Sequence, residues 1–419
     1  MPINNRPFFG ISFEGSLNIH KLLFYLPIFL SLVGLVFIFE SSSITAFDDF
    51  GNSFYFFNRQ FIWLIIAIFV MIATSLIDYR FWLKYSFFIM IFSLLGLIVV
   101  LFPEIGAKVG GARRWIDMGI FSIQPSEIVK LASVLYLTTF LTEKKVQKHA
   151  FPIFAAFLLG SILIQDFNIG LKTVFFISTL AVIYYFINRS EERQRLLSFV
   201  FLVASIIFFI IRQPDMGTAI TITGLLIGTY FLTGKHTKEI IIIIFVGIVL
   251  GTSLILVAPY RRDRITAFMN PKADPLGKTY HINQILIGVS SGGLTGRGLF
   301  QSRQKYTFLP EAHTDSIFAI ISEETGLIGG FILMSSYLLM LWILIQIIHH
   351  EKNHAASILV GSYFCLLGIQ SVINLGGMVN LLPLTGIPLP FFSYGGTSLL
   401  TFFFLNGIAL NISNQNRTR

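Results

Sequence analysis

Apolar residues recur along this chain in runs too long and too unbroken for the core of a water-soluble domain. They cover about 22–39, 60–77, 85–102, 125–142, 151–165, 172–187, 196–211, 217–233, 239–258, 316–348, 355–375 and 397–412. Many can cross a hydrocarbon core of about 30 Å, which takes roughly 20 helical residues. Hydrophobicity within each run is continuous rather than alternating, which predicts helices and excludes a β-barrel. The expectation is an all-α polytopic membrane protein of twelve spans. The run 316–348 exceeds what one crossing needs, and predicts a helix that tilts or projects beyond the hydrocarbon.

Composition agrees. Hydrophobic residues make up 54% of the 419, charged residues 12%, and Phe alone contributes 45, whereas a soluble domain is about 25% charged. The first run lacks a small-residue cleavage site and reads as a retained helix rather than a signal peptide. The single cysteine, Cys365, lies inside an apolar run, so no intrachain disulfide forms. The net charge of +9 is explained by positive-inside loops and by anionic lipid or diphosphate ligands; no nucleic-acid-binding module is present.

Loop charge sets the orientation. One alternating set of loops carries Arg80 and Lys84, Lys144 and Lys145, Arg189 with Arg193 and Arg195, Lys235 and Lys238, Lys352, and the terminal Arg417 and Arg419. These are read as cytoplasmic, with both termini. The opposite set includes 103–124, 212–216, 376–396 and the long loop 259–315. A loop of that length inside a compact domain is more often functional than decorative. Its apolar stretch Gln284–Gly288 predicts a re-entrant or interfacial helix, tolerated at membrane depth only under cover of protein or water.

Four clusters on that second side carry candidate chemistry. Pro310-Glu311-Ala312-His313-Thr314-Asp315-Ser316 precedes the tenth run. Asp315 stands where an N-cap would stand, which is its structural alternative. With Glu311, His313 and Glu323 it gathers acids at the mouth of a membrane helix, where carboxylates are costly and mark function. Asp315 and Glu323 are spaced to share roughly one helix face. His313 has no second histidine at ligand spacing, which argues against structural zinc. The second cluster runs from Arg113-Arg114-Trp115 to Gln124-Pro125-Ser126-Glu127 and Lys130. Pro125 suits a first helical turn, Glu127 and Lys130 can pair three residues apart, and the arginines offer rigid donors to a phosphate or carboxylate. Trp115 suits either a sugar platform or an interfacial anchor. The third places Asp215 beside Pro214 in Gln213-Pro214-Asp215-Met216-Gly217. The fourth, Leu382 to Ser398, includes Ser393 and is kept from helix by Pro383, Pro388 and Pro390. Its hydroxyls suit a pocket or a hinge.

In their order these motifs, together with Asn270-Pro271, Gly292-Gly293-Leu294, Gly296-Arg297-Gly298 and Ser393-Tyr394-Gly395-Gly396, resemble the shape, elongation, division and sporulation (SEDS) family. The resemblance covers about residues 20–412. It implies a single transmembrane domain over 1–419, with about ten core helices and a large extracytoplasmic catalytic loop at 259–315. The family's Pro-Asp-x-Gly motif follows the fifth span. Here Gln165-Asp166-Phe167-Asn168-Ile169-Gly170 occupies that place without the proline, and the better match comes at Gln213. Residues 166–212 are therefore read as an inserted helical hairpin; its Phe, Ile, Leu and Val content suits lipid contact or helix packing, and a peripheral position is expected.

The resemblance further implies a peptidoglycan glycosyltransferase that polymerises lipid II outside the cytoplasmic membrane, paired with a class B penicillin-binding protein and with divisome or elongasome proteins. Asp315 corresponds to the family's essential aspartate. Arg113, Arg114, Trp115, Glu127, Lys130, Asp215, Arg297, Arg303, Lys305, Glu311, His313 and Ser393 are the expected substrate-binding residues. No cofactor is expected to be tightly bound; a divalent cation, Mg2+ or Mn2+, is the candidate partner of the diphosphate. The Gly111–Trp115 and Glu311–Asp315 stretches look like the division branch, while Gly386–Phe391 is common in the elongation branch; division is the preferred reading. A lipid II flippase and a scaffold for the transpeptidase remain the alternatives. Polar motifs concentrated on one side favour chemistry there over flipping, and the presence of Asp315 speaks against a silent scaffold.

The charge pattern makes a direct prediction. Topology reporters fused at Lys145, Arg193, Lys238 or Lys352 should read cytoplasmic, and one at Phe300 should read outside. Opposite readings at Arg193 and Lys352 would refute the twelve-span count.

Overall fold

The computed structural model describes residues 19–109, 112–119, 121–143, 191–234, 244, 259–306 and 308–417. Eleven helices and one small sheet are built from these residues. In chain order they are α1 (Ile19–Phe50), α2 (Tyr55–Leu76), α3 (Tyr79–Val99), β1 (Gly106–Val109), β2 (Ala112–Asp117), β3 (Ser122–Ile123), α4 (Pro125–Thr142), α5 (Glu191–Arg212), α6 (Met216–Leu232), α7 (Pro259–Met269), α8 (Tyr280–Ser291), α9 (Ile317–His350), α10 (His354–Met378) and α11 (Gly396–Arg417). The antiparallel sheet, ordered β1-β2-β3, is an addition to the all-α expectation.

Six of the described helices are long and apolar enough to cross a membrane: α1, α2, α3, α9, α10 and α11. Shorter apolar helices lie within α5 and α6. Their outer surfaces carry Phe29, Phe69, Phe88, Phe92, Phe331 and Leu338, each more than half exposed, a surface suited to lipid and not to water. The expected spans 151–165 and 172–187, and all of 239–258 but Ile244, fall outside the described residues.

Local chemistry explains several helix starts. Pro125 occupies the first turn of α4, where its missing N–H is not needed. Asp78 caps α3, Asn353 caps α10 and Asp215 caps α6 through side-chain oxygens. Two apolar cores hold the helices together. One joins α1, α2, α9, α10 and α11; the other joins α3, α4, α5 and α6. Phe199, Leu202, Ile206 and Ile210 of α5 are fully buried in the second core. The described half of the 166–212 segment is therefore integral to the bundle, which corrects the peripheral expectation; the rest of that segment lies outside the described residues.

The long helix α9 is not continuous. Gly326 adopts φ 66° and ψ −161°, conformations that only glycine takes cheaply, and the helix breaks there. A break frees backbone groups that must find partners. Here the carbonyls of Glu323 and Glu324 accept from the N–H groups of Arg297 and Gly298, both at 3.0 Å. The N–H groups of Leu327 and Ile328 donate to the carbonyls of Gly293 and Leu294 at 2.9 and 3.2 Å. The glycine-rich turn after α8 is thereby zipped onto the opened turn of α9.

This close approach leaves no room for a side chain at Gly296, where an added Cβ would lie 2.0 Å from the Glu324 carbonyl oxygen at φ +81°. Gly51 has a similar φ of +67° but nothing near it. Gly51→Ala should cost about 1 kcal/mol of backbone strain. Gly296→Ala should cost several times more, read as a lower thermal midpoint of the detergent-solubilised protein. Equal losses would show that the zipper is loose.

Candidate functional site

At the end of the bundle bearing α7, α8 and the turns before α9, a cavity of about 1060 Å³ opens. The sheet, the end of α1, the α4 start and the 384–395 segment complete its walls. Asp315 lies in it, buried, two residues before α9 begins. It does not cap the helix: Ser316 is the N-cap, and it makes no capping bond. The capping alternative is thus removed. The Asp315 Oδ1 accepts from the Thr314 hydroxyl at 3.3 Å and from Ser316 at 3.5 Å. Burial pushes the Asp315 carboxyl up to about 6, against the opposing pull of these hydrogen bonds and the Arg264 charge.

The backbone around Asp315 is fixed from α10. Asn374 Nδ2 donates to the Asp315 carbonyl at 2.9 Å and to the Ile387 carbonyl at 2.8 Å. One turn earlier, Gln370 Nε2 donates to Pro388 O at 2.9 Å. Tyr337 of α9 donates to Pro390 O. One face of α10 therefore ties the aspartate turn to the proline-rich turn, and Gly386 is placed against Asp315, with 3.7 Å between a hypothetical Cβ and Oδ2.

The expected site residues divide into those the cavity gathers and those it does not. Trp115, Glu127, Asp215, Glu311 and His313 line it with Asp315. Glu127 and Lys130 form the expected pair at 2.6 Å, both buried. Lys130 also donates to Gln370 Oε1 at 2.8 Å, while Glu127 Oε2 is buried without a partner among the described residues. Glu311 is exposed and accepts from Thr314 at 3.0 Å. The His313 ring lies 4.2 Å from Phe56 and 5.4 Å from Tyr394, between centroids. Burial lowers it to about 4, so at neutral pH the ring is uncharged and keeps one N–H donor. Asp215 accepts from the Thr218 N–H and hydroxyl at 3.0 and 2.9 Å, as a helix cap does.

Several expected contacts are instead structural ties. Arg114 Nε and Nη2 donate to the carbonyls of Gln213 and Pro214 at 3.0 and 2.5 Å, clamping the sheet to the α6 start. Lys305 sits in a buried charge cluster, 2.7 Å from Glu40 Oε1, 3.8 Å from Glu324 Oε1 and 2.6 Å from the Phe300 carbonyl. Arg297 pairs with Glu323 at 3.5 Å. The Arg303 side chain is exposed, and its backbone N–H donates to Glu323 Oε1 at 3.1 Å. Ser393 accepts from the Leu389 N–H at 2.9 Å, closing the proline-rich turn. Arg113, on the same strand as Arg114, Arg297, Arg303 and Ser393 do not line the cavity. Glu323 does not share a face with Asp315, because Asp315 precedes the helix; its carboxylate turns to Ser302, Arg303 and Gln304.

Sequence reasoning missed Arg264 and His281, both at the cavity, and the pair Gln370–Asn374. The last had a readable signal, two amides one helical turn apart inside an apolar run. His281 Nε2 lies 2.8 Å from Ser316 Oγ, and no local pattern announces it. Among the described residues no group of three His, Cys, Asp or Glu converges to hold a metal.

A multi-pass helical bundle with a cavity at one end, walled in part by a long loop and holding a buried carboxylate that caps no helix, is the class that fold and site define. The chain matches the family described as "Cell cycle protein", comprising FtsW, RodA and SpoVE, over residues 20–189 and 185–418, and belongs to it. It is 35% identical over 396 residues to Stage V sporulation protein E of Bacillus subtilis, covering 94% of this chain and 97% of that one. It is 32% identical to the probable peptidoglycan glycosyltransferase FtsW of Geobacter metallireducens, covering 92% of each. Among solved structures, it resembles a chain of a peptidoglycan synthase complex with TM-score 0.69 and 21% identity, covering 95% of this chain and 98% of that one. It also resembles the RodA of Thermus thermophilus with TM-score 0.59 and 20% identity, covering 95% and 97%.

Proposed function

We propose that this chain is a peptidoglycan glycosyltransferase that joins lipid II into β-1,4-linked glycan on the outer face of the cytoplasmic membrane, in septal wall synthesis and beside a class B penicillin-binding protein. The observation that carries the reading is Asp315: a buried carboxylate, relieved of any capping duty, held from both sides in a cavity large enough for sugars. The donor is a glycosyl diphosphate on undecaprenol, and the acceptor is the 4-hydroxyl of the terminal N-acetylglucosamine. The hydroxyl oxygen attacks the anomeric carbon with inversion, the bond to diphosphate breaks with its electron pair, and Asp315 takes the hydroxyl proton. Diphosphate leaves as a stabilised anion, so the second, protonated carboxyl group that glycoside hydrolysis needs has no counterpart here. Trp115, on the cavity wall, is the residue that would offer the sugar a platform.

Lipid II polymerisation by the full chain with its cognate transpeptidase, the latter's own catalytic serine removed, tests this. Asp315→Asn should fold yet lose about 100-fold or more in rate. A base raised to about 6 is charged above that pH and protonated below it. The wild-type rate should therefore be flat above neutrality and fall about tenfold per pH unit below 6. Near-wild-type glycan from Asp315→Asn, or an acid limb it retains, overturns the base assignment. Septal enrichment of a tagged functional protein supports the division role; lateral localisation with normal division after depletion supports elongation.

A further inference from the structure

The cavity wall contains four strongly basic side chains among the described residues: Arg114, Arg264, Lys278 and Lys305. Three are spoken for. Arg114 clamps the Gln213 and Pro214 carbonyls, Lys305 is held by Glu40, and Lys278 stands on the exposed rim paired with Asp263 at 2.8 Å. Arg264, half-buried like Arg114, likewise has no carboxylate within ion-pair distance among the described residues, and unlike Arg114 it commits a single nitrogen. Only its Nη1 is occupied, at 3.1 Å from the Thr385 carbonyl and 3.4 Å from that of Leu384. Among the described residues this leaves Nε and Nη2 uncommitted while anchoring one end of the guanidinium. The next residue, Gly386, lies against Asp315, and the Arg264 charge acts on both Asp315 and His281.

We infer that Arg264 binds the diphosphate of the glycosyl donor and neutralises it as it leaves, an assignment that rests on the glycosyltransferase reading above. The chemistry fits the group. A guanidinium presents two parallel N–H donors that match two phosphate oxygens, and holds its charge at any working pH. As the acceptor oxygen bonds to the anomeric carbon, the carbon–oxygen bond to diphosphate breaks and the electron pair passes to that oxygen. Negative charge grows there, in a partly dehydrated site where a preorganised cation acts most strongly. The hydroxyl proton goes to Asp315, so proton acceptor and leaving-group ligand sit side by side, both steadied by the 384–387 segment. The competing role for Arg264 is a plain tie to the Leu384 and Thr385 carbonyls. That role needs a donor but no charge.

Two variants of the full chain, with the serine-less transpeptidase, separate these roles. Arg264→Gln keeps an N–H donor for the carbonyls and removes the charge; Arg264→Lys keeps the charge and loses the fork. Direct binding of undecaprenyl diphosphate in detergent is measured beside polymerisation, with undecaprenol as the probe lacking phosphate. Arg264→Gln should keep the wild-type thermal midpoint, polymerise about 100-fold more slowly, and bind undecaprenyl diphosphate at least about tenfold more weakly. Arg264→Lys should recover part of both losses. Undecaprenol should bind all three proteins alike. Unchanged undecaprenyl diphosphate binding by Arg264→Gln overturns the assignment, as does an equal loss in both variants with a lowered thermal midpoint, the signature of a tie. A wild-type complex that binds undecaprenyl diphosphate through Arg264 but makes no polymer would sink the glycosyltransferase reading and leave the anion site standing.

Discussion

Adjacent carboxylates at the break in α9 organise the functional end of this molecule. Glu324 accepts from the N–H groups of Phe300 and Ser302 at 3.0 and 2.9 Å, and Glu323 from those of Arg303 and Gln304 and the Ser302 hydroxyl. Two carboxylates buried side by side would repel and dehydrate at great cost without partners. Here each is surrounded by backbone donors, and Lys305 and Arg297 supply compensating charge. Those backbone N–H groups belong to a non-helical turn, where no helix or strand ladder supplies their acceptors. Acid and loop satisfy one another. The break at Gly326 adds the backbone pairings to 293–298, so residues 293–304 are fixed along one side of α9.

The consequence is felt at its start. The segment leaving this clasp passes through Leu309 and Pro310 to Asp315, and Leu309 N–H is tied back to the Gln304 carbonyl at 3.1 Å. On the opposite side, Asn374 and Gln370 of α10 hold the aspartate and proline-rich turns together. Gln370 also receives Lys130, which connects both turns to the buried Glu127 on α4. The carboxylate of Asp315 is positioned by rigid elements on two sides, as a general base requires when a small displacement weakens catalysis. Among the described residues its Oδ1 accepts from the Thr314 and Ser316 hydroxyls at 3.3 and 3.5 Å.

What the sequence made legible was local or motif-borne. Pro125 starts its helix, Glu127 pairs with Lys130 three residues on, Gln284–Gly288 lies in α8, and Asp315 stands in the cavity. What escaped was every partnership across the chain. Lys305 and Glu40 are 265 residues apart, and Arg114 and Pro214 are 100 apart. Read one at a time, such cations look free for a phosphate; folded, they close ion clusters and clamp carbonyls. Arg264 is the opposite case: it stands beside Arg261 and Arg262 in the long loop with no motif to single it out, and the long-range contact with Thr385 shows where it sits. Spacing reports neighbours three or four residues away and is silent on which distant chain supplies the next one.

Amide hydrogen exchange across residues 293–304 tests the clasp most directly, because an amide bonded to a buried acceptor opens only when its local structure does. In the folded protein the amides of Arg297, Gly298, Phe300, Ser302, Arg303 and Gln304 should exchange as slowly as those inside α9, and in Glu324→Ala they should become fast as a group. Rapid exchange of these amides in the wild type, while α9 stays protected, would contradict the account.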